Sequence, residues 1–464
     1  MQTRHFEDLK DKRLLNRGNS ILNRLFANSI YSIRQLASSD SEAKAMYRFF
    51  QNNNVSEADI VKNMSSNCVS CVGNKSVLCI QDTSEISLYN HKNRIKKDEF
   101  IGTINSSDDG GLGFFIHPSF VVDSTTLMPY GFSDIKIWNR TLEQNKVQRK
   151  HKDKLVPIEE KESYKWIESS QNTKKALENA SEIIIIQDRE GDIYEQFCTV
   201  PDAKTHLLIR AKSNRILQDD QRLFEHLASK PLQGTYTVEL DGDKRRNIKK
   251  RTATIEVRFS EITIRGNQYT NKNLPEKITL YAIEAKEVGD NVENPIHWRL
   301  LTTKKVEDFA TALICIEWYT CRWIIEEVFR ILKKEGFNIE ASELSQGKAI
   351  RKLCLMMLET IVKLFIMQIA YDIEEEIDPR SCFSEEEIQC LEIQIQQLEG
   401  KTEKLKNPYK SSDLKRYIWA IARLGGWKGY LSERKPGITT FWMGLQKFSA
   451  IMQGWILFRD VSRR

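Results

Sequence analysis

The stretch from Trp318 to Gly336, WYTCRWIIEEVFRILKKEG, carries Tyr319, Arg322, Glu326 and Lys333, the last three offset from the tyrosine by three, seven and fourteen residues. At about 100° per residue these four line one narrow face of a helix. Ile314, Trp318, Cys321, Ile325, Val328 and Leu332 fall on a separate apolar stripe suited to packing on a sheet. The pattern predicts a single helix, buried on one side and chemically equipped on another. The plainer reading is an i,i+4 pair between Arg322 and Glu326, worth only a few tenths of a kcal/mol.

Two more carboxylates stand where a sheet would bring them to that helix. Asp82 closes SVLCIQD and Asp188 closes EIIIIQD, each ending a short apolar run of strand character. Residues at the carboxyl ends of strands emerge at the edge where open α/β sheets place their sites. Three convergent carboxylates with no histidine among them suit hard divalent ions, Mg²⁺ or Mn²⁺ in its place. Two such ions about 4 Å apart can activate water on one side of a phosphodiester and stabilise the leaving oxygen on the other. Arg322 and Lys333 would then lie beside phosphates. Glu190, Asp192 and Glu327 are neighbouring carboxylates that compete for the assignment. No P-loop, GxGxxG fingerprint or serine or cysteine hydrolase pattern offers another chemistry.

The elements that must position these groups follow from periodicity. Residues 5–65 alternate at helical spacing, with apolar Leu14, Ile21, Leu22 and Leu25 among basic residues. KSVLCIQD predicts a strand, FFIHPSFVVDSTTLMPYGFSDIKIWN two more, and SEIIIIQD and THLLIRAK one each, with helices between and after. The result is a mixed sheet with helices on it, an α/β domain. About ninety residues then precede the Tyr319 helix, and GTYTVEL, TATIEVRF, ITLYAIEA and HWRLLTT read as strands of an inserted β subdomain, at about 213–303. A basic run, Lys244, Arg245, Arg246, Lys249, Lys250 and Arg251, falls at the tip of a hairpin in it. The remainder is helical. Domains are expected at 1–70, 71–372 and 373–464.

Composition is that of an ordinary globular chain of 464 residues, 40% hydrophobic and 29% charged. No membrane span of roughly 18 apolar residues and no signal peptide are expected, so a cytoplasmic protein without a membrane partner is predicted. Nine cysteines, odd in number and set in apolar runs, suggest reduced thiols, and the lone Cys68-x₂-Cys71 has no second ligand pair for zinc. A net charge of +6 is too mild to point to nucleic acid by itself.

Tyr319-x₂-Arg322-x₃-Glu326-x₆-Lys333, behind QDTSE and QDREGDIYE, resembles the YREK signature and the two aspartate motifs of the bacterial insertion-sequence-four family of DDE cut-and-paste transposases. The resemblance extends to EAKAMYRFFQNNNVS, HWRLLTT and IARLGGW, nearly the whole chain. It departs at Ser84, where a second Thr is common, and at Gly191, where Ala is more usual. It implies a ribonuclease-H-like (retroviral-integrase-like) catalytic core with an inserted β subdomain, flanked by a helical DNA-end-binding N-terminal domain and a helical C-terminal dimerisation domain. Asp82, Asp188 and Glu326 would be the metal-binding triad. The reaction it implies is hydrolytic nicking of a transposon end, hairpin formation by the freed 3′-OH, and joining to target DNA. The partners it implies are double-stranded transposon ends and target DNA, with a second copy of the chain in the synaptic complex, in a bacterial cytoplasm at the nucleoid. Trp298 matches the residue on which the family stacks a flipped base, and Arg210 a residue near the DNA. With DNA as partner, the basic tip reads as a finger tracking the phosphate backbone, and Arg13, Arg17 and Arg34 become candidates for contacts to the transposon end. The competing readings are a ribonuclease-H-like nuclease without strand transfer and a catalytically silent, transposase-derived DNA-binding repressor or inhibitor.

Overall fold

A computed structural model describes residues 11–28, 32–104, 111–140, 156–240, 250–266, 274–289, 292, 294–334, 336–430 and 434–462. Lys244, Arg245, Arg246 and Lys249 of the basic run lie outside them.

The chain opens with four helices, α1 (Lys12–Asn28), α2 (Ile33–Leu36), α3 (Asp40–Gln51) and α4 (Glu57–Val72). On α1 the apolar positions Ile21, Leu22 and Leu25 are buried, as the periodicity requires. Ser56 and Asp59 close a capping box at the start of α4, satisfying backbone N–H groups that a helix start leaves without partners. Ser65 on α4 donates to the Ser133 carbonyl at 2.8 Å, so this helix lies on the sheet.

Next come β1 (Ser76–Gln81), β2 (Ser84–Ser87), β3 (Gly113–Asp123), β4 (Pro129–Trp138), α5 (Tyr164–Ala176), β5 (Glu182–Gln187), α6 (Tyr194–Thr199) and β6 (Thr205–Arg210). Strand β3 runs antiparallel to β1 and β4, while β5 is parallel to both β1 and β6. The spatial order β4-β3-β1-β5-β6 is that of a ribonuclease-H-like core. Every predicted strand is present, and the four-residue β2 is an addition that no alternation announced.

After α7 (Leu223–Ser229), strands β7 (Gly234–Leu240), β8 (Arg251–Arg265), β9 (Lys277–Val288) and β10 (His297–Thr302) form an antiparallel set. They continue the same sheet, because β10 pairs antiparallel with β6. The ten-stranded sheet therefore runs β2-β3-β1-β5-β6-β10-β9-β8-β7, with β4 also on β3.

Helices complete the chain: α8 (Phe309–Thr320), α9 (Trp323–Lys333), α10 (Gly347–Ala370), α11 (Glu385–Leu398), α12 (Leu414–Leu424) and α13 (Ile438–Ser462). The expectation that no segment resembles a membrane span needs correcting. By length and composition α10 is apolar enough to cross a bilayer, yet 78% of its most apolar window is buried inside the protein. It is a core helix, wrapped by α1, α3, α4, α9 and α13.

Alternation along the strands divides the interior. Leu78, Ile80, Ile184 and Ile186 face the core that holds Ile325, Val328 and Leu332 of α9 and most of α10. Val77, Cys79, Ile183 and Ile185 face the opposite core, with Ile167 of α5 and Phe197 of α6. Side chains one residue apart on these strands thus belong to different sides of the sheet.

Candidate active site

Asp82 follows β1 directly and Asp188 follows β5. The parallel register pairs Ser76 with Glu182 and Ile80 with Ile186. The same offset, 106 residues, carried two positions on, sets Asp82 beside Asp188. By alternation both turn towards the side occupied by α9, away from their preceding glutamines. Thr83 N–H donates to Asp82 Oδ1 at 2.7 Å, and Glu190 N–H donates to Asp188 Oδ1 at 2.8 Å.

The expected single helix through Tyr319 and Lys333 is in fact two. Between α8 and α9 the chain tightens into i→i+3 hydrogen bonds, Cys321 N to Trp318 O, Arg322 N to Tyr319 O and Ile324 N to Cys321 O, at 2.9–3.1 Å. Tighter winding turns each residue further round the axis, so the four polar residues do not keep the face that uniform 3.6-residue turns would give them. Ile314, expected on the packing stripe, is 42% exposed, whereas Ile325, Val328 and Leu332 are fully buried.

Arg322, at this junction, holds the constellation together. Its Nη1 lies 3.4 Å from Asp82 Oδ2, and its Nη2 donates to Glu326 Oε1 at 2.6 Å. Burial opposes its charge, but the hydrogen bond to Glu326 and the nearby Tyr319, Glu326 and Asp82 push its pKa up. Asp82 is pushed up to about 7, first by burial and then by the charge of Asp188. Asp188 is also raised, chiefly by burial, against the hydrogen bond from Glu190. Burial and the neighbouring charge of Asp188 both favour the protonated form of Asp82, the mark of a site short of positive charge.

The other predicted residues are distributed around this centre. Tyr319 is buried, its phenol pushed up to about 12 mainly by burial, and its ring meets that of Trp298 edge-on at 5.4 Å. Arg210, at the end of β6, donates to the His297 carbonyl at 3.0 Å, next to Trp298. Its pKa is lowered by burial and by Arg189. Lys333 sits at the far end of α9, about 16 Å along the axis from Arg322. It donates to Ser84 Oγ at 3.2 Å, a hydroxyl that Ser and Thr supply equally. Lys250 pairs with Glu239 at 3.0 Å and Arg251 with the buried Glu287. Both lie at the start of β8, four strands and about 19 Å across the sheet from β5. Arg13 is exposed and Arg17 half-buried on α1, while the exposed Arg34 pairs with Asp40 at 3.1 Å.

Three nearby groups carried no signal in periodicity. Lys165 is 7% exposed, with Nζ 3.6 Å from Glu190 Oε2, and adds positive charge beside Asp188. His117 is fully buried, 2.9 Å from Thr83 Oγ1, and burial drives its pKa well down. Gln81 and Gln187 are likewise fully buried, and the repeated QD dipeptide was the visible sign of them.

An oxygen-only donor set with two mutually repelling aspartates suits a hard divalent ion. In this conformation no group of three or more His, Cys, Asp or Glu among the described residues is arranged to hold one. The guanidinium of Arg322 stands between Asp82 and Glu326.

The family described as Transposase DNA-binding matches residues 4–55, and the Transposase DDE domain matches residues 172–361. The second match contains Asp188 and Glu326, and Asp82 precedes it. Among solved structures, the cryo-EM piggyBac transposase synaptic complex with hairpin DNA is 9% identical, over 78% of this chain and 67% of that one, with a TM-score of 0.34. The two sequence matches, together with a sheet of ribonuclease-H-like order, support a DDE transposase.

Proposed function

We propose that the chain is a cut-and-paste transposase of the insertion-sequence-four type, which nicks the ends of its own element, passes through a DNA hairpin and joins the freed 3′-OH ends to target DNA. One observation carries the reading. Asp82 and Asp188 are register neighbours at the carboxyl ends of parallel strands, and Arg322 links Asp82 to Glu326. Asp82, Asp188 and Glu326 would hold Mg²⁺, or Mn²⁺ in its place, as two ions. When bound, these would supply charge neutralisation and an activated water for in-line attack on a phosphodiester.

The chain's own groups do the rest. Arg322, a guanidinium with a forked set of donors, releases the carboxylates by turning to the scissile phosphate. Tyr319, whose raised pKa keeps its proton, donates to the same phosphate region. Lys333 serves a phosphate further along the strand. Trp298, already edge-on to Tyr319, offers a ring on which a displaced base can stack, worth about 1–3 kcal/mol per base. Arg210 joins it at the DNA. The basic β7–β8 tip tracks the backbone, Arg13, Arg17 and Arg34 contact the element's end, and strands β7–β10 act as a β insertion in the core. A second copy of the chain completes the complex, for which Met443, Ile456 and Phe458 of α13, 41%, 38% and 74% exposed, offer apolar surface. The work is done in the cytoplasm at the nucleoid.

Full-length protein incubated with Mg²⁺ and duplexes from both flanks of its gene tests this. The expected products are a nick at one fixed position, then a hairpin, then joined target DNA. No nick with either Mg²⁺ or Mn²⁺ overturns it.

A further inference from the structure

The two aspartates of the proposed metal site are each preceded by a glutamine with no exposed surface. Alternation turns Gln81 and Gln187 to the side of the sheet under α5 and α6, opposite to the aspartates. Four glutamine and serine side chains there form one hydrogen-bonded unit. Gln187 Nε2 donates to Gln81 Oε1 at 2.7 Å and to Ser170 Oγ at 3.1 Å. Ser170 Oγ is also within 3.2 Å of Gln81 Oε1. Gln196 Nε2 donates to Gln187 Oε1 at 2.6 Å and to the Gly191 carbonyl at 3.0 Å. At the other end Gln81 Nε2 donates to Ser119 Oγ on β3 at 3.3 Å.

The unit begins where the backbone ladder stops. The β1–β5 register ends at Ile80 and Ile186, one residue before the glutamines. Beyond that point the 2.7 Å amide bond is what ties the two strand ends together, and Asp82 and Asp188 are the next residues out. Gln196 extends the tie to the turn that Asp188 caps, Arg189–Gly191.

Gly191 is matched to Gln187. A Cβ at position 191 would lie 2.2 Å from Gln187 Oε1 and 2.9 Å from Gln187 Cβ, so no side chain fits there while Gln187 keeps its place. The departure from the alanine usual in the resembling family thus has a physical cause in this chain. Buried polar groups left partly satisfied are costly, and a closed unit of them fixes one geometry.

We propose that Gln81, Gln187, Ser170 and Gln196 are positioning residues that set the separation of Asp82 and Asp188 for divalent-ion binding. The proposal rests on the metal reading above. It predicts that loosening the unit weakens ion affinity, as the loss of groups that orient metal ligands commonly does by about 10–100-fold.

Mn²⁺ binding to the full-length protein, measured by calorimetry alongside the melting temperature, tests it. Gln187→Leu should raise the Mn²⁺ dissociation constant about tenfold, and the Mg²⁺ concentration for half-maximal nicking by the same factor. The nicking rate at saturating Mg²⁺ should return close to wild type. Ser170→Ala, a milder change, should raise the Mn²⁺ constant in the same direction and decides the matter if Gln187→Leu does not fold. Gly191→Ala should weaken Mn²⁺ binding in the Gln187 background and add nothing to Gln187→Ala. Melting temperatures that fall while Mn²⁺ binding stays within about twofold of wild type overturn the tether. Asp188→Asn separates the two claims: if it too binds Mn²⁺ as wild type does, the metal reading itself fails.

Discussion

Arg322 touches two carboxylates at once, and that contact defines the problem its neighbours solve. A guanidinium is a weak substitute for divalent charge, and Asp82 stays pushed up to about 7 with it present. Removing one metal-binding carboxylate should therefore remove the ions' share of catalysis, several kcal/mol. Asp82→Asn should lower Mg²⁺-dependent nicking by about a thousandfold. Binding of end DNA, followed by gel shift, should be unchanged, since Asp82 makes no demand on the helical N-terminal region. The types and spacing of these residues were legible in the sequence because strand ends and helix turns have fixed periods. The Arg322 bridge, Lys165 beside Glu190, and the neutral His117 were not, because each depends on what stands across a gap of dozens or hundreds of residues.

At the scale of elements, α10 carries two tests. Arg351 near its start is 5% exposed, within 3.4 Å of Glu57 Oε2 on α4, and donates to Asn139 Oδ1 at 2.6 Å. Cutting a buried pair on one side strands the other charge, so Arg351→Ala should cost about 3 kcal/mol in urea unfolding and loosen α4 from α10. Glu359, further along, is pushed up from 4.5 to about 7 by burial, against a hydrogen bond from Asn67. A carboxyl whose pKa is higher folded than unfolded holds its proton better in the native state. Its stabilising share is therefore complete below about 4.5 and is lost as pH rises through 7. Glu359→Gln should melt progressively higher relative to wild type between about pH 5 and pH 8, with the largest gain above 7. The sequence marked the region of α10 only as helical and could not say what covers it. Composition alone made it as good a membrane span as a core. The break between α8 and α9 escaped for a related reason, since a local i→i+3 turn leaves no mark in residue type.

Across the whole molecule, strands read correctly one by one joined in a way the sequence did not announce. Strand β10 brings β7–β9 into the same sheet as β1 and β5, because pairing partners are set by tertiary contact and not by alternation. The consequence is one continuous sheet from the acidic centre to β7 and β8, with α1 packed against α10 and α13. Charge at that distance acts through phosphates, so its signature is salt dependence. Arg13→Ala with Arg17→Ala should weaken binding of end DNA and reduce the slope of log K against log salt by about 0.9 for each phosphate left without its arginine. Nicking of DNA already bound should proceed at the wild-type rate.

All of this turns on three acidic side chains sharing ions at one place. Fe²⁺ in place of Mg²⁺, with ascorbate, generates radicals that cut the polypeptide beside the bound ion. In the complex with end DNA the cuts should map to the segments around Asp82, Asp188 and Glu326, and all three should vanish together in Asp188→Asn. Cuts confined to one of these segments, or persisting in that variant, would contradict the shared site.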